Sequence, residues 1–171
     1  MHEQNMTNLK NHLNQIKLLA MDVDGVLTDG GLYYNENGEV FKKFNVKDGQ
    51  GLKRLTQAGI EVAIISAHNS KATLHRAKNL GIRHTFIGVE DKLSTLKQLC
   101  HKLQLSLEQV AYIGDDLNDL PIMSIIGCPL TVADAMPENQ AAAIYITKLG
   151  GGQGAVREIC EILLATHRGE E

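Results

Sequence analysis

Residues 16–30 read IKLLAMDVDGVLTDG, an apolar run that stops at two aspartates, Asp22 and Asp24, and then turns through a glycine. Residues 16–21 suit a strand buried on both faces, with the acids at its carboxyl end. The same pattern returns at residues 110–119, VAYIGDDLND, where a strand-like run at 110–113 opens onto Asp115, Asp116 and Asp119. Between them, IEVAIIS at 60–66 ends on Ser66, and IGVED at 87–91 leads into Lys92 at the start of an amphipathic segment over 92–103. Further strand-like runs fall at 85–87, 129–133 and 144–146, alternating with helical patterns at 49–58, 70–80, 120–126 and 155–165. This alternation predicts an α/β fold: a doubly wound, Rossmann-like parallel sheet with right-handed crossovers and helices on both faces. Ligands of such sheets sit beyond the carboxyl ends of the strands. One stretch breaks the alternation. LYYNENGEVFKKF at 32–44 reads as two β-prone segments around an Asn-Gly turn, a small β-hairpin inserted over about 31–45 close to the acids.

The chain has 171 residues, 43% of them hydrophobic, enough for one core. Residues 16–166 are expected to form a single domain, flanked by a polar N-terminal extension at 1–15 and a polar tail at 167–171, both prone to fraying. With 17 basic and 20 acidic side chains the formal charge is -3, which argues against nucleic acid or an anionic membrane surface as partner. There is no apolar run of spanning length and no signal-like N-terminus, and Cys100, Cys128 and Cys160 lack paired spacing. A cytoplasmic protein with reduced thiols is the expectation.

In a parallel sheet, acids that follow different strands converge on one edge. Such carboxylates repel one another unless a cation lies between them, and their hard oxygens suit Mg²⁺. Ser66 adds a hydroxyl and Lys92 an ammonium. A cation, a hydroxyl and an ammonium around carboxylates match the needs of a transferring phosphoryl group, whose charge is spread over three oxygens. Singly, each feature has a plain alternative: D-x-D as a solvated turn, Ser66 as a helix cap, Lys92 as a surface charge. Their order along the chain is what favours phosphoryl transfer.

Asp22-Val23-Asp24-Gly25-Val26, Ser66, Lys92 and Gly114–Asp119 together resemble the four motifs of the haloacid dehalogenase superfamily. DVDGVLTDG, the hairpin, FNVKDGQG at 44–51 and GGGQGAVREIC at 150–160 resemble its members that lack a large cap domain and act on phosphorylated sugar acids. The resemblance implies a phosphatase in which Asp22 is the nucleophile, forming an aspartyl-phosphate. Asp24 is then the acid, and afterwards the base. It implies Mg²⁺ held by Asp22, the backbone carbonyl of Asp24 and Asp115, with Asp116 and Asp119 as supporting acids that orient Lys92 or the metal shell. Ser66 and Lys92 would hold phosphoryl oxygens. It further implies a homotetramer assembled through the hairpin, whose neighbouring subunits complete the pocket.

By the same resemblance Lys47, Asp48, Gly49 and Arg76 are candidate contacts to a sugar acid phosphate of eight or nine carbons. Lys47 and Asp48 equally suit capping of the next helix, and Arg76 a surface ion pair. Residues 150–154 read either as a mobile element reaching a neighbouring site or as a loop before the last helix. One position departs from the family pattern: Ala67-His68 stands where Gly-Arg is usual, placing a titratable ring where a fixed charge is expected to meet substrate. His68 is either that contact or a solvent-facing residue. Two other classes compete: a receiver-like phosphoacceptor domain, whose acceptor aspartate sits on a middle strand, and a non-catalytic assembly protein retaining the fold.

Overall fold

Strand β1, Leu18–Met21, lies at the centre of the fold, and all four residues are buried. The computed structural model describes residue 9 and residues 11–169. After β1 the chain makes the hairpin β2 (Tyr33–Tyr34) and β3 (Val40–Phe41), then α1 (Val46–Gln57), β4 (Glu61–Ile65), α2 (Lys71–Leu80) and β5 (His84–Phe86). It continues through α3 (Lys92–Leu103), β6 (Val110–Ile113), a 3₁₀ turn at Leu117–Asp119, α4 (Leu120–Met123), β7 (Cys128–Thr131), α5 (Pro137–Ala142), β8 (Tyr145–Ile146) and α6 (Ala155–Arg168).

The sheet order is β5-β4-β1-β6-β7-β8 and every pairing is parallel. The chain therefore starts in the middle, winds to one edge, then returns and winds to the other. The reversal falls between β1 and β6, so their carboxyl ends flank the crevice where such sheets bind ligands. Asp22 N–H donates to the Ile113 carbonyl at 3.0 Å, tying the two strand ends together at that point.

Alternation along β1 feeds two cores. Leu19 and Met21 face Leu52 and Leu55 of α1, Leu80 of α2, and Ile159 and Leu163 of α6. Leu18 and Ala20 face Leu96 and Leu99 of α3 and Ile122 of α4. The three cysteines are buried free thiols. No helix among the described residues is long and apolar enough to cross a membrane. The hairpin pairs Tyr33 with Phe41 and Tyr34 with Val40, and it leaves Leu32, Tyr33, Tyr34 and Phe41 exposed. Among the described residues there is no cap domain.

Several boundaries differ from expectation. Helix α1 starts at Val46 rather than 49, because the Asn45 side chain accepts from Lys47 N–H at 2.8 Å and caps it. Helix α5 was not expected from the pattern, although Pro137 occupies a first-turn position that favours a start there. Helix α6 runs to Arg168, through the first residues of the expected polar tail; residues 170–171 lie outside the described residues. Within the expected extension at 1–15, Leu9 and Leu13 are buried in the core; residues 1–8 and 10 lie outside the described residues.

Candidate active site

The loop after β1 is shaped by three contacts. Gly25 has φ +84°, and a Cβ there would stand 1.9 Å from Asp115 Oδ2, so only glycine lets the β6 acid come this close. The buried Thr28 hydroxyl accepts from Gly25 N–H and Gly30 N–H at 3.3 and 3.2 Å, closing the loop on itself. From the far end of the chain, Gly152 N–H donates to the Val26 carbonyl at 3.0 Å. A Cβ on Gly151 would lie 1.8 Å from the Gly25 carbonyl oxygen. Residues 150–154 are thus a loop packed beneath the Asp22–Asp24 turn; the contact is made within the chain.

At the crevice, Lys92 Nζ lies 2.7 Å from Asp22 Oδ2 and 2.8 Å from Asp119 Oδ1. Asp119 is wholly buried and its oxygens are fully engaged. Oδ1 also accepts from Tyr112 Oη at 2.6 Å, and Oδ2 accepts from Asp115 N–H at 3.0 Å and Asp116 N–H at 3.4 Å. Asp116 is exposed, and its carboxylate accepts from Leu117 N–H; of the two expected supporting acids, Asp119 is the one that pairs with Lys92. Tyr112, at the end of an otherwise apolar strand, went unnoticed in the sequence, where it reads as core.

Carboxyl oxygens of Asp22, Asp115 and Asp119 approach one another within 4.8 Å. Burial, with Asp119 close by, raises the Asp22 carboxyl to about 6 despite Lys92. Burial, followed by the charges of Asp22, Asp119 and Asp116, raises Asp115 to about 8. Burial alone would lower Lys92, but Asp22 and Asp119 outweigh it and raise the ammonium. One ammonium therefore does not compensate this cluster, and Asp115 Oδ1 is buried with no hydrogen-bond partner among the described residues. A buried carboxyl oxygen without a donor, close to further carboxyl oxygens, fits a hard divalent cation. Because Asp119 is already saturated by donors, Asp22 and Asp115 are the side chains left to hold it.

The Asp24 carboxylate lines the same crevice but takes other partners. Its Oδ1 is ion-paired with Lys42 of the hairpin, and its Oδ2 is 3.7 Å from His68 Nδ1. Ser66 is buried, its Oγ has no partner among the described residues, and it lines a cleft of about 170 Å³ with Asp22, Asp24, His68, Asp115 and Asn118. A second groove of about 660 Å³ meets this cleft at His68 and runs between the hairpin and the start of α2, past Phe41, Lys71 and His75. His68 therefore faces the site. Lys42 was missed because the hairpin's return path, which no local pattern encodes, is what delivers it.

The four expected sugar contacts do not line this cleft. Since α1 begins at Val46, Asp48 falls in its first turn, 1% exposed, and accepts from Arg157 N–H of α6 at 2.8 Å. Gly49 is buried against Arg76, whose guanidinium would be 2.3 Å from a Cβ there. Arg76 Nη2 donates to the Asn45 carbonyl at 3.1 Å, over the Phe44 ring. Lys47 is exposed and borders a groove with Arg157 and Lys148. These residues secure α1 to α2 and α6.

A doubly wound sheet with D-x-D after its first strand and a buried lysine-carboxylate centre at its switch point defines a haloacid dehalogenase-like hydrolase, and the profile of that family matches residues 89–159. The chain is 47% identical over 149 residues to the 3-deoxy-D-manno-octulosonate 8-phosphate phosphatase KdsC of Escherichia coli K12, covering 87% of this chain and 79% of that protein. The crystal structure of the phosphatase of that name from Yersinia pestis superposes with a TM-score of 0.92 at 44% identity, covering 94% of this chain and 87% of that one. The phosphatase from Moraxella catarrhalis, solved with magnesium, phosphate and KDO, gives 0.93 at 44% identity, covering 96% and 94%. The chain belongs to the 3-deoxy-D-manno-octulosonate 8-phosphate phosphatase family of haloacid dehalogenase-like hydrolases. The carboxylates of Asp22, Asp115 and Asp119 form a group that could hold a divalent metal.

Proposed function

We propose that this chain is a Mg²⁺-dependent phosphatase that hydrolyses 3-deoxy-D-manno-octulosonate 8-phosphate to the free sugar acid and phosphate. The observation that carries the reading is the buried Asp22–Lys92 pair beside Asp115 at the switch point, in a chain this similar to phosphatases of that name. Asp22 attacks phosphorus while Asp24 protonates the departing sugar oxygen. The phosphorus–oxygen bond to the sugar breaks and an aspartyl-phosphate forms on Asp22. Asp24, now a carboxylate, takes a proton from water as that water attacks the aspartyl-phosphate, releasing phosphate and restoring Asp22.

Ser66 Oγ, buried with no partner among the described residues, suits donation to a phosphoryl oxygen, and Lys92 supplies a positive charge at the same place. Asp22, Asp115 and the backbone carbonyl of Asp24 would hold Mg²⁺, which supplies charge compensation between carboxylates and phosphoryl oxygens. Asp119 orients Lys92. His68 lies where the cleft meets the second groove, which has room for the sugar. The exposed aromatic hairpin suits contact with further copies of the chain, which supports a homotetramer; its inferred compartment is the cytoplasm.

The deciding experiment measures kcat/KM with Mg²⁺ on the eight-carbon sugar acid 8-phosphate and on a nine-carbon 9-phosphate, for the wild type and Asp22→Asn. A preference for the eight-carbon compound and loss of turnover in the variant are expected. Preference for the nine-carbon compound would overturn the substrate, and full activity in the variant would overturn the nucleophile.

A further inference from the structure

Lys42 and Lys43 are consecutive, yet they differ in surroundings. Lys43 is largely exposed and pairs with Asp29 at 2.8 Å. The Lys42 side chain has no exposed surface, and among the described residues its ion-pair partner is Asp24. Successive side chains point to opposite sides, so the segment following β3 brings one lysine to solvent and delivers the other into the crevice. A buried ammonium is costly unless paired, which fixes Lys42 on Asp24. Asp24 itself is 30% exposed and belongs to a short loop, so without a partner its carboxyl would be free to rotate. Lys42 engages Oδ1, while Oδ2, the oxygen nearer His68, remains directed along the cleft.

From this geometry we propose that Lys42 is a positioning residue for proton transfer, one that sets the orientation in which Asp24 meets the leaving oxygen. The inference rests on Asp24 being the acid, as proposed above. It gives the hairpin a chemical part in turnover, because the insertion supplies the group that aims the acid. Misorientation of a proton donor costs rate only where the leaving group needs its proton.

That dependence supplies the test. In Lys42→Met, kcat/KM with Mg²⁺ is expected to fall by about tenfold or more on the sugar phosphate, whose alkoxide must be protonated, and by less than about threefold on p-nitrophenyl phosphate, which leaves unaided. Lys42→Arg, keeping the charge, should recover part of the loss. Equal losses on both substrates in a variant that melts like the wild type would overturn the proposal. Should the methionine variant unfold, Lys42→Gln is read by the same ratio. Asp24→Asn separates the two readings. If it shows the leaving-group dependence and Lys42→Met does not, Lys42 alone is misassigned; if neither shows it, the acid assignment fails with it.

Discussion

Lys92 Nζ and Asp22 Oδ2 lie 2.7 Å apart with both side chains almost fully buried. The same ammonium is 2.8 Å from Asp119, so the Asp22 and Asp119 carboxylates share a single cation. In Lys92→Met, kcat is expected to fall by about 10²- to 10³-fold, as when one preorganised donor to a developing charge is lost. Two buried carboxylates are then left unpaired, and chemical denaturation of the metal-free protein should show a loss on the order of 3 kcal/mol. Wild-type kcat would contradict the assignment.

The raised carboxyls give a pH dependence of definite sign. Asp22 and Asp115 go from 3.8 to about 6 and about 8, so the metal-free folded protein binds more protons than the unfolded chain across that interval. The stability associated with these groups is present in acid and is lost as pH rises through about 6 and then about 8. Melting of the metal-free protein should accordingly shift downward between about pH 5 and about pH 8. Since a metal needs these groups ionised, Mg²⁺ affinity by calorimetry should rise about tenfold per pH unit approaching 8. An affinity flat across that range would contradict the site.

Tyr112 Oη donates at 2.6 Å to the oxygen of Asp119 that also receives Lys92. Tyr112→Phe keeps the ring and removes one donor from a saturated acceptor. We expect kcat to drop about fivefold, in line with a charge-assisted hydrogen bond worth about 1 kcal/mol in the transition state, with KM little changed. The effect should vanish in an Asp119→Asn background; additive losses would mean that Tyr112 does not act through Asp119.

For Asp48 the opposite pattern is expected. It holds the start of α6 through Arg157 N–H rather than lining the cleft. Asp48→Ala should destabilise by about 1–2 kcal/mol, as lost caps do, while KM for the sugar phosphate stays within about twofold. A KM rise without a stability loss would return Asp48 to the substrate.

How much was legible followed the range of the forces involved. Strand ends and their acids are local, and residues 16–22 and 110–115 carried both the fold and the convergence of Asp22 with Asp115. The start of α1 was also locally encoded, by Asn45 three residues ahead of Asp48, but the glycines at 49 and 51 masked it; Asp48, a sugar contact by resemblance and equally a helix cap by its place, lies buried against α6. Lys42 could not be read from sequence. Its place beside Asp24 depends on where a hairpin folds back, and neighbouring Lys43 has the same chemistry and a different fate. Tyr112 was hidden by its ring, which satisfies the apolar pattern while its hydroxyl serves the site.

The contact between Gly151 and the Gly25 carbonyl has a consequence for the order of synthesis. Asp22, Asp24, Ser66, Lys92 and Asp115 are all made before the loop at 150–154, yet the turn carrying the first two rests on that loop. A chain still emerging from the ribosome thus holds these five side chains while the turn of Asp22 and Asp24 still lacks the loop that packs beneath it.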